Sequence, residues 1–214
     1  MSVQFAIKTA AEPTNWSEAE FLPALGPVMH YAQDSEIYGE GEDADCYYKV
    51  ISGVVRTCKF LADGRRQIDA FHVAGDLFGV ETGCTHTLSA EAVGDCEIVA
   101  YRRWIPCAKR GAPAQLLEHV MRNLERAQEH AVLLGRRTAP EKVASFLLGW
   151  AKHSAKGATI ALAMTRQDMG DYLGLTLETV SRILSRMERD DLIELPSARQ
   201  IRVTNLAALQ EMNG

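Results

Sequence analysis

Three polar residues, Glu178, Ser181 and Arg182, stand at i, i+3 and i+4, the spacing that places side chains on one face of an α-helix. Val180, Ile183, Leu184 and Met187 take the opposite face, so the segment has an apolar side for packing and a polar side left over for contacts. On a helix whose N-terminal part enters the major groove, arginine can donate a bidentate pair to guanine O6 and N7. Glutamate can accept from cytosine N4, and serine is short enough to let the helix approach a base or a phosphate. Arg186 and Arg189, one and two turns further on, suit phosphate oxygens, and Thr165, Thr176, Thr179 and Arg199 complete the candidate phosphate contacts. Taken alone, Glu178 and Arg182 also have the spacing of a solvated ion pair worth about 0.2–0.5 kcal/mol. The elements around them decide between the two readings.

Other chemistries find less support. No P-loop, nucleophile elbow or H-E-x-x-H occurs. His30, His72 and His86 lie too far apart to suggest the clustered ligands of a metal-dependent barrel enzyme. Cys84 and His86 offer two possible metal ligands, too few for a zinc site. Cys46, Cys58, Cys84, Cys96 and Cys107 are odd in number and never form a C-x-x-C pair, which fits reduced thiols in the cytoplasm better than a disulfide framework. Cys107, two residues before Lys109-Arg110, has the local charge closest to that of a redox thiol, but a single basic pair favours an inert one. The expectation is therefore no catalytic residue, no metal and no cofactor.

Two helices with a turn between them must position the reading face. Thr165 to Asp168 has the pattern of a capping box and opens a short helix that ends at Gly174; Thr176 then caps the helix running to about Asp190. Segments 192–195 and 200–203 can pair as a hairpin around Pro196 to Arg199, and 159–163 reads as a short strand. Two helices, a glycine-containing turn and a hairpin describe a winged helix-turn-helix. Thr138 to Glu141 gives a further cap, followed by a face of Val143, Phe146, Leu147 and Trp150.

Upstream, residues 113–135 contain no glycine before Gly135 and carry Leu117, Val120, Leu124, Ala127, Ala131 and Leu134 at alternating spacings of 3 and 4. That is an a/d seam about 27 Å long, suited to pairing with a second copy; Leu116, Met121 and Leu133 widen the stripe toward intrachain packing. From about 28 to 105, turn signals such as Ser52-Gly53, Asp63-Gly64 and Gly94-Asp95 separate β-prone runs at 47–51, 54–60, 67–71, 90–93 and 97–101. Short strands at this spacing suggest an all-β barrel or sandwich.

These motifs make a resemblance visible. The stretch MTRQDMGDYLGLTLETVSR, ending at Arg182, closely resembles the DNA-binding signature of the CRP/FNR family of bacterial transcription regulators. Asp63-Gly-Arg-Arg-Gln-Ile68 and the run AGDLFGVETG, ending at Gly83, look like the family's FixK branch, and the resemblance covers about residues 28–205. It implies an α+β chain: a jelly-roll effector domain like a cyclic-nucleotide-binding barrel at 1–110, a dimerisation helix at 111–136 and a winged helix-turn-helix at 137–214. It further implies a homodimer that reads TTGA-type palindromes through Glu178, Ser181 and Arg182, an activator's contact with RNA polymerase, and genes of low-oxygen respiration or nitrogen metabolism. Relatives that bind cyclic AMP carry an arginine-serine pair in the phosphate cassette; here Leu88-Ser89 stands in its place, so a buried phosphate would lack its cation. Iron–sulfur relatives use closely spaced N-terminal cysteines, and this chain has none before Cys46. An unidentified effector in the barrel, such as haem, a metal or a small molecule, remains the alternative.

The 214 residues are 47% hydrophobic and 24% charged, with a net charge of −5, which excludes a uniformly basic nucleic-acid binder. The charge is unevenly spread. Residues 1–135 hold 12 Lys and Arg against 19 Asp and Glu, whereas 136–202 hold 11 against 8. A basic module on an acidic body directs phosphate to one end of the chain. No apolar run approaches the ~20 residues needed to cross a bilayer, and residues 1–25 lack the basic start and apolar stretch of a secretory signal, so a cytoplasmic protein without a membrane partner is expected.

Overall fold

The structure is a computed structural model that describes residues 27–102, 114–151 and 159–212. Eight strands form the N-terminal half: β1 Met29–Tyr31, β2 Glu36–Tyr38, β3 Cys46–Ser52, β4 Val54–Phe60, β5 Arg66–Val73, β6 Leu77–Phe78, β7 Ser89–Ala92 and β8 Cys96–Arg102. They make two antiparallel four-stranded sheets, ordered β1-β8-β3-β6 and β2-β7-β4-β5. Tyr38, Val50, Val55, Phe78, Ala90 and Ile98 pack between them as the barrel core. The five β-prone runs of the sequence are all strands; β1, β2 and β6 are additional, each only two or three residues long, too short to show a period of two.

β4 shows how this half joins the next. Its first five residues, Val54-Val-Arg-Thr-Cys58, are all buried although the side chains alternate between faces. Val55 faces the barrel core, whereas Arg56 lies on the outer face, which the C-terminal half covers.

Helix α1, Ala114–Arg136, runs from the barrel to the C-terminal half. Leu116 packs with Tyr47 and Leu77, Asn123 donates to the Leu77 carbonyl at 3.2 Å, and Arg126 pairs with Asp76 at 3.1 Å. Near its end Leu133 joins the C-terminal core. The two leucines that widened the apolar stripe, Leu116 and Leu133, are thus the intrachain contacts. Of the a/d residues, Leu117, Val120, Leu124, Ala127 and Ala131 are exposed, while Leu134 turns inward and packs beside Gly174.

The remaining elements are α2 Ala139–Ala151, β9 Thr159–Ala161, α3 Arg166–Leu173, α4 Leu177–Arg189, β10 Ile193–Ser197, β11 Gln200–Val203 and α5 Leu206–Glu211. β9 stops two residues short of the 159–163 expected, and α5 is additional, its single buried anchor Leu209 giving no periodic signal. The small sheet is ordered β10-β11-β9, so Pro196 sits on an edge strand that loses no ladder bond to it. Val143, Leu147, Met169, Leu173, Val180, Leu184 and Ile201 fill the core of this half, and the same cluster takes in Val54 and Val93 of the barrel. Pro113, Cys107 and the N-terminal stretch 1–25 lie outside the described residues.

Candidate nucleic-acid interface

The reading head is assembled from its caps. Thr165 adopts extended backbone before α3 and accepts from the Asp168 amide at 3.1 Å, while the Asp168 carboxylate accepts from the Thr165 amide at 2.9 Å and hydroxyl at 2.8 Å. Two orphan amides of the first turn are satisfied reciprocally. At the other end Gly174 takes the left-handed conformation, φ 64°, that lets the chain turn without a Cβ penalty. Gly170 matters as much: a Cβ there would lie 2.7 Å from the Leu175 carbonyl oxygen, so the turn can close only over a bare backbone.

Thr176 then caps α4, its hydroxyl accepting from the Thr179 amide at 3.2 Å and lying 3.2 Å from the Thr179 hydroxyl. Val180, Ile183, Leu184 and Met187 are buried against the rest of the unit, which leaves the other face outward. Glu178 and Arg182 are exposed there and Ser181 is half-buried. Glu178 and Arg182 form no ion pair with each other or with any other described residue. The Glu178 backbone amide and the Thr176 hydroxyl hold the glutamate carboxyl below its usual range, so it stands as an acceptor. In the structure the two residues are not paired with each other, and the Arg182 guanidinium and the Glu178 carboxylate both lie on the outward face.

The candidate phosphate contacts divide into two groups. Arg189 and Arg199 are exposed, and Arg186 is 75% exposed with only a 3.6 Å approach to Asp190. Arg199 sits at the hairpin turn, where its carbonyl accepts from the Leu162 amide and fixes the wing to the β9 end. The hydroxyls of Thr165, Thr176 and Thr179, by contrast, are already engaged at the helix starts. Sequence reasoning missed Arg166, whose guanidinium lies 3.5 Å from Ser181 Oγ and so joins α3 to the reading face. Its place directly after the Thr165 cap was the available signal.

α3 is also fastened to the barrel. Phe71 on β5 meets Phe146, Trp150 and Tyr172 with ring centroids 6.2, 6.1 and 5.4 Å away. Beside this aromatic patch Arg56 Nη1 donates to Asp168 Oδ1 at 3.2 Å and its Nε to Glu91 at 2.7 Å. Arg66 donates to Asp168 and to Asp171, the latter at 2.8–2.9 Å. Burial alone would raise the Asp168 carboxyl, but the Thr165 bonds and the two arginines outweigh it and hold it ionised. From α1, His130 stacks on Tyr172 at 4.0 Å and its Nε2 lies 2.8 Å from the Tyr172 carbonyl.

Between the barrel and α1 lies an open cavity of about 170 Å³, lined among others by Thr57, Asp69, His72, Glu81, Leu88 and Asn123. Its charged or titratable lining is Asp69, Glu81, Tyr38 and a histidine, His72, whose pKa burial pushes down to about 4, with no arginine or lysine. Among the described residues no group of three or more His, Cys, Asp or Glu could hold a metal ion. Cys84 is exposed while His86 is buried against Tyr38, so the two point to different environments. Burial pushes the Cys58 thiol up to about 11 and raises Cys46 and Cys96 as well, the reverse of activation.

Comparison with known proteins agrees with this geometry. Residues 28–103 match the cyclic nucleotide-binding domain and residues 141–212 the Crp-like helix-turn-helix domain. The chain is 45% identical over 204 residues to the nitrogen fixation regulation protein FixK of Azorhizobium caulinodans, covering 91% of this chain and 82% of that protein. It is 38% identical over 193 residues to the FixK protein of Rhizobium meliloti, covering 89% and 90%. The structure of FixK2 from Bradyrhizobium japonicum superposes with a TM-score of 0.81 at 42% identity, covering 90% of this chain and 98% of that one. A β barrel, a long helix and a capped helix-turn-helix with an open reading face thus belong to a transcription regulator rather than an enzyme, and the chain is a FixK-like member of the CRP/FNR family.

Proposed function

We propose that this regulator is a homodimeric activator that reads TTGA-type palindromes and needs neither cyclic AMP nor an iron–sulfur cluster. The observation that carries the reading is the outward face of α4, where Arg182 and Glu178 are exposed and make no ion pair with a described residue, on a helix capped at its N-terminal end. Arg182 pairs with guanine O6 and N7, Glu178 accepts from cytosine N4, and Ser181 contacts a base or phosphate. Arg186, Arg189 and Arg199 hold the flanking phosphates, while the hydroxyls of Thr165, Thr176 and Thr179 stay engaged at the starts of the helices that present them. The exposed a/d face of α1 meets the same face of a second copy, which gives the two-fold symmetry a palindrome requires.

The barrel supports a regulator without nucleotide control. A cavity of about 170 Å³ falls below the ~300 Å³ at which ligand pockets begin, and its acidic lining repels a phosphate. The expected targets are genes of low-oxygen respiration or nitrogen metabolism, transcribed in the cytoplasm with RNA polymerase as partner. One observation favours a second reading, a small effector in the barrel: His72 is buried, lines the cavity, and its Nδ1 has no hydrogen-bond partner among the described residues.

Gel shift with purified protein and a duplex carrying TTGA-N6-TCAA, with and without chelator, reductant and cyclic AMP, tests both. Retardation without any addition is the expected result. Arg182→Ala should then cost about 1–3 kcal/mol per half-site and relax discrimination at the G·C pair. Equal binding of that variant to the palindrome and to a scrambled duplex, at wild-type affinity, would overturn the assignment. Binding that appears only with an added metal or small molecule would favour the second reading.

A further inference from the structure

Burying two arginines on the outer face of a sheet is costly unless each finds carboxylates. Arg56 and Arg66 have side chains only 7% and 17% exposed, and their partners come from two halves of the molecule. Glu91 and Asp34 belong to the barrel; Asp168 and Asp171 belong to α3. The Asp168 carboxylate divides its work, with Oδ2 closing the capping box and Oδ1 receiving both barrel arginines. Barrel cations thus attach to the first turn of the helix-turn-helix itself.

The neighbouring Phe71–Phe146–Trp150–Tyr172 contact is apolar, and apolar contact is non-directional. It can hold two surfaces together without fixing the angle between them. A guanidinium fork is directional, and Arg66 offers one to two carboxylates spaced a turn apart on α3. Buried ion pairs of this kind add little net stability over apolar substitutes; their best-attested use is to fix one arrangement among several. The cluster is moreover acid-rich, with Asp34, Glu91, Asp168 and Asp171 around only two arginines. Neutralising either arginine leaves facing carboxylates that repel. The reading face is untouched by all this, because Glu178 and Arg182 point outward while α3 is held.

We propose that Arg56 and Arg66 are positioning residues for DNA recognition: they clamp α3 to the barrel and so hold α4 in its reading orientation without an effector. The clamp rests on the DNA-reading assignment above. It gives Arg66, part of the Asp63-Gly-Arg-Arg-Gln-Ile68 motif, a role at the sensor–reader boundary. It also places the orientation that an effector would otherwise have to secure within the chain's own side chains.

A double-mutant cycle on full-length protein tests it, with Arg66→Gln, Asp171→Asn and the pair combined. Affinity for the TTGA-N6-TCAA duplex is read by fluorescence anisotropy, self-association by sedimentation, and α3 amide exchange by mass spectrometry on DNA-free protein. Each single variant should bind at least fivefold more weakly and exchange its α3 amides faster, with self-association unchanged. The double variant should be no weaker than the worse single one, and Arg66→Lys should recover part of the loss. Single variants within twofold of wild type, or losses that multiply in the double variant, overturn the clamp. Should Arg66→Gln fail to fold, Asp171→Asn alone decides, since it weakens the same contact from the α3 side with a near-isosteric neutral side chain. A wild-type protein that fails to bind the duplex overturns the DNA-reading assignment instead, a result distinct from variants that match a binding wild type.

Discussion

At the scale of single residues, charge and burial are played against each other in opposite ways at two places. Asp168 is buried and kept ionised by its partners, whereas His72 is buried and kept neutral, its Nε2 sharing a 3.1 Å hydrogen bond with the Thr57 hydroxyl. Burial is the main cause of the His72 shift to about 4, with Arg126 adding to it and Asp76 opposing. The folded pKa lies below the unfolded value near 6.5, so the unfolded chain takes the proton first as pH falls. Stability is constant above about pH 6.5 and drains away between there and pH 4, by about 2 kcal/mol from pH 7 to pH 5. Urea midpoints measured at those two pH values should show this fall in the wild type and much less of it in His72→Gln. An equal slope in the variant would mean that His72 does not carry the effect.

The α3–α4 turn shows what an element needs beyond propensity. Gly170 accepts the Gly174 and Leu175 amides through its carbonyl, and its α-carbon faces the Leu175 carbonyl so closely that any side chain must displace backbone. Gly170→Ala should cost about 1–3 kcal/mol of stability, since overpacking against a fixed backbone is relieved only by moving it. Gly135, in the last turn of α1, has nothing within 4 Å of its prospective Cβ, and Gly135→Ala should be neutral or stabilising by up to about 1 kcal/mol. Thermal melts of the two variants side by side check the contrast. The sequence showed both as glycines within helical segments; only the approach of another chain segment separates a required one from a tolerated one.

The whole molecule presents one long helix with unlike sides. Leu116, Asn123, Arg126, His130 and Leu133 tie α1 to its own chain, and Leu117, Val120, Met121 and Leu124 stand 38–59% exposed on another side. The second copy proposed above would cover that face and shield apolar side chains that water otherwise meets. Leu124→Glu should leave the fold of the single chain intact, because the side chain touches no core of its own, while sedimentation reports a shift from dimer toward monomer. An unchanged dimer would move the interface elsewhere.

Local pattern by itself determined helix α4 and α3, their caps, the glycine turn, the hairpin and the strand-rich N-terminal half. Each rests on contacts a few residues apart: Thr165 with Asp168, Thr176 with Thr179, a face repeating every turn. The short strands β1, β2 and β6 and helix α5 escaped because two to six residues carry too little periodicity. Tertiary structure alone decided which side of α1 is spent within the chain, turning Leu134 inward and leaving Leu124 out. It alone brought Arg56 and Arg66 to Asp168 and Asp171, more than a hundred residues further along the chain. A sequence records that these four are charged. That they are buried together, against the first turns of α3, is a consequence of the two halves closing over the same strand face.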